Sequence, residues 1–316
     1  MPPLLIRFDV TNALSAEVSA GQRLYVSAWL FMPAHLPSRP TISAWLNGGT
    51  YDKRYFHAEI PGYPGYSMAE HLAARGHIVV LPDHLGIGDS SRAPRQMAVT
   101  RQVAAKANHD AMTQLFAHLR EGTLHPSIPA IPQFVKLGGG HSMGGMQTIT
   151  QQAAHRTYDR IAVLGYTAVG VHLTLGGQLH SADPGPLDLS KPDYPVMDRG
   201  HLRSTFHWDD VPEAVLTADD ALLVPVPYVL STQAITTGIV SEDARNIDVP
   251  IYQCLGERDV SPDPWAEAAH FRACYDYTLH VLPKSGHCQN FASTRTEMWD
   301  RIYTWNESLN ASNGTA

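Results

Sequence analysis

Three residues in this chain have the types, order and surroundings that nucleophilic acyl chemistry requires: Ser142, Asp259 and His287. Ser142 stands in Gly140-His141-Ser142-Met143-Gly144, a G-x-S-x-G pattern in which a sharp turn between strand and helix lifts a serine hydroxyl clear of a sheet. With the serine held at unfavourable φ and ψ, the residues two before and two after it crowd each other, which is the steric reason for glycine at both. A serine hydroxyl is a poor nucleophile at neutral pH, so it needs a base to take its proton and an acid to orient that base. Leu255-Gly-Glu-Arg-Asp259 places a carboxylate in the turn after an apolar run that begins at Pro250, and Ser285-Gly286-His287 places an imidazole just beyond the last apolar run. Glu257 and Asp263 are rivals for the acid, and Asp259 is favoured by its place in the turn. Among 17 histidines, His287 differs from His77, His141 and His280 in its place, in a glycine-preceded loop after the final strand, about 28 residues beyond Asp259 and before one terminal helix.

Other chemistries fail on inspection. Gly140 and Gly145 have the spacing of a phosphate loop, but Met146 stands where its lysine belongs, and a G-x-G-x-x-G from Gly138 meets Met143 where its last glycine is required. The zinc signature H-E-x-x-H is absent and no other cluster has ligand spacing, so neither a metal nor a cofactor is expected. A formal net charge of -7 leaves no basic surface for phosphates, so nucleic acid is not an expected partner. Cys254, Cys274 and Cys288 are too few and too scattered for a disulfide framework, which points to a reducing compartment, the cytoplasm by default. Met1-Pro-Pro-Leu-Leu-Ile-Arg-Phe-Asp9 has neither the basic start nor the apolar length of a signal peptide, and no segment reaches bilayer length, so no membrane partner is expected either. Asn306-Glu-Ser, Asn310-Ala-Ser and Asn313-Gly-Thr match a glycosylation acceptor but read as a polar, frayed tail. Nothing in the sequence signals an oligomeric state.

The elements that must position the three residues follow from periodicity. With 316 residues, 44% of them apolar, the chain can bury a large core as one α/β domain or a domain with an insertion. Leu5 to Val10 and Leu24 to Met32 read as an opening hairpin, and Pro40 to Leu46 as a strand ending at Asn47-Gly48-Gly49-Thr50, where backbone N–H groups can face a cavity. The aromatic cluster Tyr51, Tyr55, Phe56, Tyr63 and Tyr66 lines a pocket or packs a loop. A helix from Tyr66 to a glycine stop at Gly76, a strand from His77 to Asp83 and a helix from about Ala98 to Arg120 come next. Phe134 leads the strand into the Ser142 turn, Met146 to His155 is the helix after it, and Arg160 to Gly165 and Pro250 to Gly256 are further strands. This alternation predicts an α/β fold with a doubly wound, mostly parallel sheet whose ligands sit at the carboxyl ends of the strands. About 80 residues separate these two strands, far above the usual connection length. We read residues 1–170 and 250–316 as the core domain and 171–249 as an inserted, largely helical cap, with helical patches at Val211 to Leu223 and Tyr228 to Thr237.

With Asn47-Gly-Gly, Asp83-His-Leu-Gly-Ile-Gly-Asp-Ser, Gly140-His-Ser-Met-Gly-Gly, Gly256-Glu-Arg-Asp and Gly286-His, the chain resembles an α/β-hydrolase from about Leu24 to Trp305. The resemblance implies Ser142 as nucleophile, His287 as base, Asp259 as orienting acid, and an oxyanion hole from the N–H of Met143 with a second donor after the third strand. Many members have His-Gly before that donor where this chain has Asn47-Gly48; Gly49 is the expected residue and Thr50 the runner-up. The sequence is also similar to bacterial esterases that open lactones, zearalenone lactone hydrolases among them. Serine at 142, rather than aspartate, sets it apart from the dehalogenase and epoxide-hydrolase branches. The expected function is cofactor-independent hydrolysis of a small-molecule carboxylic ester or lactone, with acyl transfer, perhydrolysis and non-catalytic ligand reception as alternatives on the same fold. The apolar and aromatic side chains of 171–249 point to a bulky hydrophobic substrate, with Tyr51, Trp208, Leu222 and Tyr228 as its expected contacts.

Overall fold

Apolar runs of strand length alternate with longer amphipathic ones along most of the chain, and the backbone follows that alternation. The structure, a computed structural model, describes residues 2–175, 178–195 and 199–312, so Asn313-Gly-Thr lies outside the described residues. In order come β1 (Leu4–Asp9), α1 (Ala16–Ser19), β2 (Tyr25–Phe31), β3 (Thr41–Leu46), α2 (Met68–Ala73), β4 (Ile78–Pro82) and α3 (Arg101–Glu121). Then follow β5 (Val135–His141), α4 (Met143–His155) and β6 (Arg160–Leu164). The stretch from β6 to β9 (Ile251–Gly256) holds β7 (His172–Leu175), β8 (Gln178–Ser181), α5 (Arg203–Phe206), α6 (Glu213–Asp220), α7 (Tyr228–Ile235) and α8 (Ser241–Arg245), and the chain closes with β10 (Tyr277–Leu282) and α9 (Arg295–Ser312).

Eight strands form one sheet in the order β1-β2-β4-β3-β5-β6-β9-β10. Only the pairings of β2, with β1 and with β4, are antiparallel; the others are parallel. Successive side chains of β4 go to opposite faces, and both faces are buried. Ile78 and Val80 join the core that includes Met112, Leu115 and Ile149 of α3 and α4, while Val79 and Leu81 join the core that includes Leu72, Met298 and Ile302 of α2 and α9. Burial on both sides is why such strands read as continuous apolar runs. Thr100 caps α3 by accepting from Val103 N–H, and Gly122 ends it in the left-handed conformation.

β1 and β2 pair antiparallel as the opening hairpin, with α1, capped by Ser15, in their connection. Two local features depart from the sequence reading. α4 begins at Met143, three residues before the expected start, because the turn consumes only Ser142. The segment 171–249 opens with the antiparallel pair β7–β8 before its helices, since Val171-His-Leu-Thr-Leu alternates with the period of a strand. No described helix is long and apolar enough to cross a membrane.

Candidate active site

The carboxyl ends of β3, β5 and β6 lie side by side, with Gly140 paired to both Leu46 and Val163. From that edge the chain turns through Ser142 at φ 54°, ψ -119° and enters α4 at once. The turn is possible only without side chains around it: a Cβ on Gly140 would run into the backbone of Gly144, and one on Gly144 into the carbonyl of Leu46. The Ser142 N–H donates to the Leu164 carbonyl at 2.8 Å, which ties the turn to β6. Because α4 starts at the next residue, its positive end faces the same spot.

His287 Nε2 lies 3.0 Å from Ser142 Oγ, and His287 Nδ1 lies 2.7 Å from Asp259 Oδ1. The protonation pattern follows from the acceptor side. Asp259 Oδ1 also accepts from the N–H of Val260 at 2.8 Å, and Oδ2 accepts from the N–H of Gly256 at 2.7 Å and Gln289 Nε2 at 3.0 Å. A carboxylate so surrounded by donors is an acceptor only, so Nδ1 carries the imidazole proton and Nε2 presents a lone pair to the serine hydroxyl. The rival acids are engaged elsewhere: Glu257 Oε2 accepts from the N–H of Lys284 at 3.0 Å, and Asp263 caps a short 3-10 turn through Trp265 N–H at 3.0 Å. His141 Nε2 donates to the His287 carbonyl at 2.8 Å and its ring stacks on Tyr55. Burial, with His287 and Arg199 nearby, holds the His141 pKa well below the ordinary histidine value, so it stays a neutral brace.

Gly49, Thr50 and Met143 border one cavity with Ser142, and their N–H groups meet no acceptor among the described residues. The loop that carries Gly49 and Thr50 is held from several sides. Asn47 Nδ2 donates to the Tyr51 carbonyl, His84 Nε2 donates to the Asn47 carbonyl at 3.0 Å, and both the N–H and the Nζ of Lys53 donate to Asp83 at 2.8 and 2.5 Å. From the inserted segment, the N–H of Val224 donates to the Thr50 carbonyl at 2.8 Å. Thr50 itself sits at φ 70°, unusual for a β-branched residue.

The cavity has a volume of about 430 Å³ and runs from Ser142 and His287 beneath the inserted segment. Val171, Leu173, Phe206, Leu223, Val226 and Ile235 supply much of its apolar wall. Tyr51 borders it, but its hydroxyl is committed to Asp219 Oδ1 at 2.6 Å and accepts from Arg199 Nη1 at 2.6 Å. Tyr55, Phe56 and Tyr66 pack in the core under α2 and α9 instead. The other three expected contacts do not line the cavity. Trp208 lies under the Arg258 guanidinium 4.1 Å away, Tyr228 has its hydroxyl on the N–H of Asp188 at 3.0 Å, and Leu222 yields its place to Leu223, because one step around a helix end turns the side chain to another face. Sequence reasoning missed Gln289 and Arg199, which lie in or beside loops with no motif, whereas the apolar character of Phe206 hinted at its place.

Among the described residues, His207, Asp219 and Cys288 bring metal-ligand atoms within 4.8 Å of one another. Arg199 Nη2 and His207 Nε2 both bond Asp219 Oδ2 at 2.9 Å, and burial pushes the Cys288 thiol up to about 12. A guanidinium already neutralises the carboxylate, and the thiol is held protonated, so the set does not suit a cation.

The model of the alpha/beta hydrolase family matches residues 44–300. Among solved structures, a thermophilic esterase from Thermogutta terrifontis aligns at a TM-score of 0.62 and 15% identity over 97% of this chain and 99% of that one. The peroxisomal alpha-beta-hydrolase Lpx1 from Saccharomyces cerevisiae aligns at 0.61 and 12% identity, covering 98% and 90%. The N-acyl homoserine lactonase AidH aligns at 0.59 and 12% identity, covering 96% and 97%. No curated protein sequence matches the chain.

Proposed function

The chain belongs to the alpha/beta hydrolase family, and from that premise we propose that it is a serine hydrolase cleaving carboxylic esters or lactones of bulky, apolar small molecules. The observation that carries the reading is the hydrogen-bonded line from Ser142 Oγ through His287 to Asp259, opening on a cavity of about 430 Å³. In this reading His287 Nε2 takes the hydroxyl proton as Ser142 attacks the acyl carbon, and Asp259 stabilises the imidazolium that forms. The N–H groups of Met143 and Gly49, with Thr50 as the alternative second donor, receive the oxyanion at the positive end of α4. His287 then gives its proton to the leaving alcohol, and water, activated by the same imidazole, releases the acyl group and restores Ser142. Residues 171–249 serve as a cap on the body formed by 1–170 and 250–316, and the apolar side chains they bring set the preference for a large substrate. Esterase and lactonase neighbours share the fold and support the choice of ester bond. Three free cysteines suit a reducing, cytoplasmic setting.

The test is a panel of short esters, aryl esters and macrocyclic lactones assayed with and without a serine-directed phosphonate. Turnover that disappears as the phosphonate attaches to Ser142 is expected. Attachment at Ser67, Ser90 or Ser231, or turnover indifferent to the reagent, would overturn the reading.

A further inference from the structure

We propose that residues 205–209 of the inserted segment form a strut that positions both His287 and Asp259, with Arg258 as the residue that clamps it. The proposal rests on the serine-hydrolase reading above and concerns what holds its base and acid in register. The N–H of His287 donates to the Thr205 carbonyl at 2.9 Å, and the N–H of Cys288 to the Phe206 carbonyl at 2.8 Å. The Phe206 and His287 rings pack at 50° to each other with centroids 5.0 Å apart. Gly286 is where the two segments come closest: a Cβ there would stand 2.6 Å from the Phe206 carbonyl and 2.7 Å from that of Thr205. The base-bearing loop is therefore seated on α5 through its main chain.

The acid-bearing turn reaches the same five residues by a side chain. Arg258, the neighbour of Asp259, donates from Nη2 to the His207 carbonyl at 3.1 Å and to Asp209 Oδ1 at 2.9 Å, and its guanidinium lies 4.1 Å over the Trp208 ring. An exposed Arg–Asp pair contributes little by itself. Here the guanidinium is also fixed by a main-chain acceptor and by an aromatic face, so three contacts define one geometry. Arg258 points to the strut while Asp259 points to His287, and a shift in either support moves the acid relative to the base. The function of Trp208 is thus to floor the clamp and not to touch substrate. Arg258 is a positioning residue, since it reaches no reacting atom.

Displacement of a reacting group by about 1 Å can cost on the order of a hundredfold in rate. Arg258→Met is expected to lower kcat by roughly ten- to a hundredfold with little change in KM. A far-downfield proton resonance is expected for His287 Nδ1–H, because that proton is held against the Asp259 carboxylate at 2.7 Å, and it should move upfield or broaden in the same variant. Arg258→Lys, which keeps a charged donor, should restore part of both signals, and Trp208→Leu should shift both in the direction of Arg258→Met. Arg203→Gln, which breaks the exposed pair with Glu213 on the same segment, serves as the control and should change neither. If Arg258→Met fails to fold, Arg258→Lys and Trp208→Leu carry the same readouts. Wild-type kcat and resonance in the folded variants would overturn the strut, as would a loss confined to KM, which would make Arg258 a substrate contact. Absence of any Ser142-dependent turnover would sink the hydrolase reading instead, while the resonance would still report whether the strut holds His287 against Asp259.

Discussion

The Thr50 carbonyl accepts the N–H of Val224 at 2.8 Å, so the loop bearing the candidate oxyanion donors is pinned by the inserted segment as well as by the body. Val224→Pro deletes that donor. We expect kcat to fall at least about tenfold through loss of alignment, with the fold retained by circular dichroism. Thr50→Gly, which keeps the backbone N–H and relaxes the positive φ, should stay within about threefold of wild type. A collapse of activity in Thr50→Gly would shift the role to the Thr50 hydroxyl.

Ser142→Ala removes the covalent route. A loss of roughly a million-fold in kcat is expected, with an unchanged melting temperature and no phosphonate adduct. Residual activity within a hundredfold of wild type would assign the chemistry to another group.

Only Asp259 among the three nearby acids touches His287. Asp259→Asn should cost on the order of 10⁴ in rate, because an amide there permits the wrong imidazole tautomer. Glu257→Gln and Asp263→Asn should remain near wild type in the same assay, and the reverse pattern would show that the acid is misassigned.

Substrate size should be read by the side chains that line the cavity. Large hydrophobic lactones or aryl esters are expected to show higher kcat/KM than short acetates, and Val226→Trp, which enlarges a side chain lining the cavity and so takes up part of its volume, should bring the two closer together. Equal efficiency across sizes in the wild type would show that the segment does not select substrate. Leu222→Ala and Tyr228→Phe should leave the ratio as it is.

Buried histidines make stability fall in acid. Burial holds His77 and His84 at about 4, below the ordinary 6.5, so the unfolded chain binds protons that the folded one refuses. The stabilisation is complete above about 6.5 and is lost as pH falls toward about 4. Each group contributes on the order of 1–3 kcal/mol to that loss. Urea midpoints taken near pH 7 and near pH 5 should differ less for His84→Asn than for the wild type. An identical difference in both would show that His84 is protonated alike in the two states.

Much of the architecture was legible because it is written in short-range pattern. The runs at 78–82, 161–164 and 251–256 are apolar but for Gln253 since both sheet faces are covered, and such near-continuous runs signal parallel strands. The Gly140 to Gly144 turn was legible for a steric reason confined to five residues, and the order of Ser142, Asp259 and His287 is a property of the chain itself.

Which side chains meet was decided by tertiary structure. Three carboxylates stood near one turn in the sequence, and only folding sends Asp259 toward His287 while Arg258 turns to the inserted segment. Tyr51 and Asp219 lie 168 residues apart and share a buried hydrogen bond that no local pattern encodes. Leu222 and Leu223 are identical in type, yet one borders the cavity and the other does not, because the direction of a side chain depends on helix phase and docking angle rather than on hydrophobicity. Periodicity reports that a face is buried; only the packed neighbours determine against what.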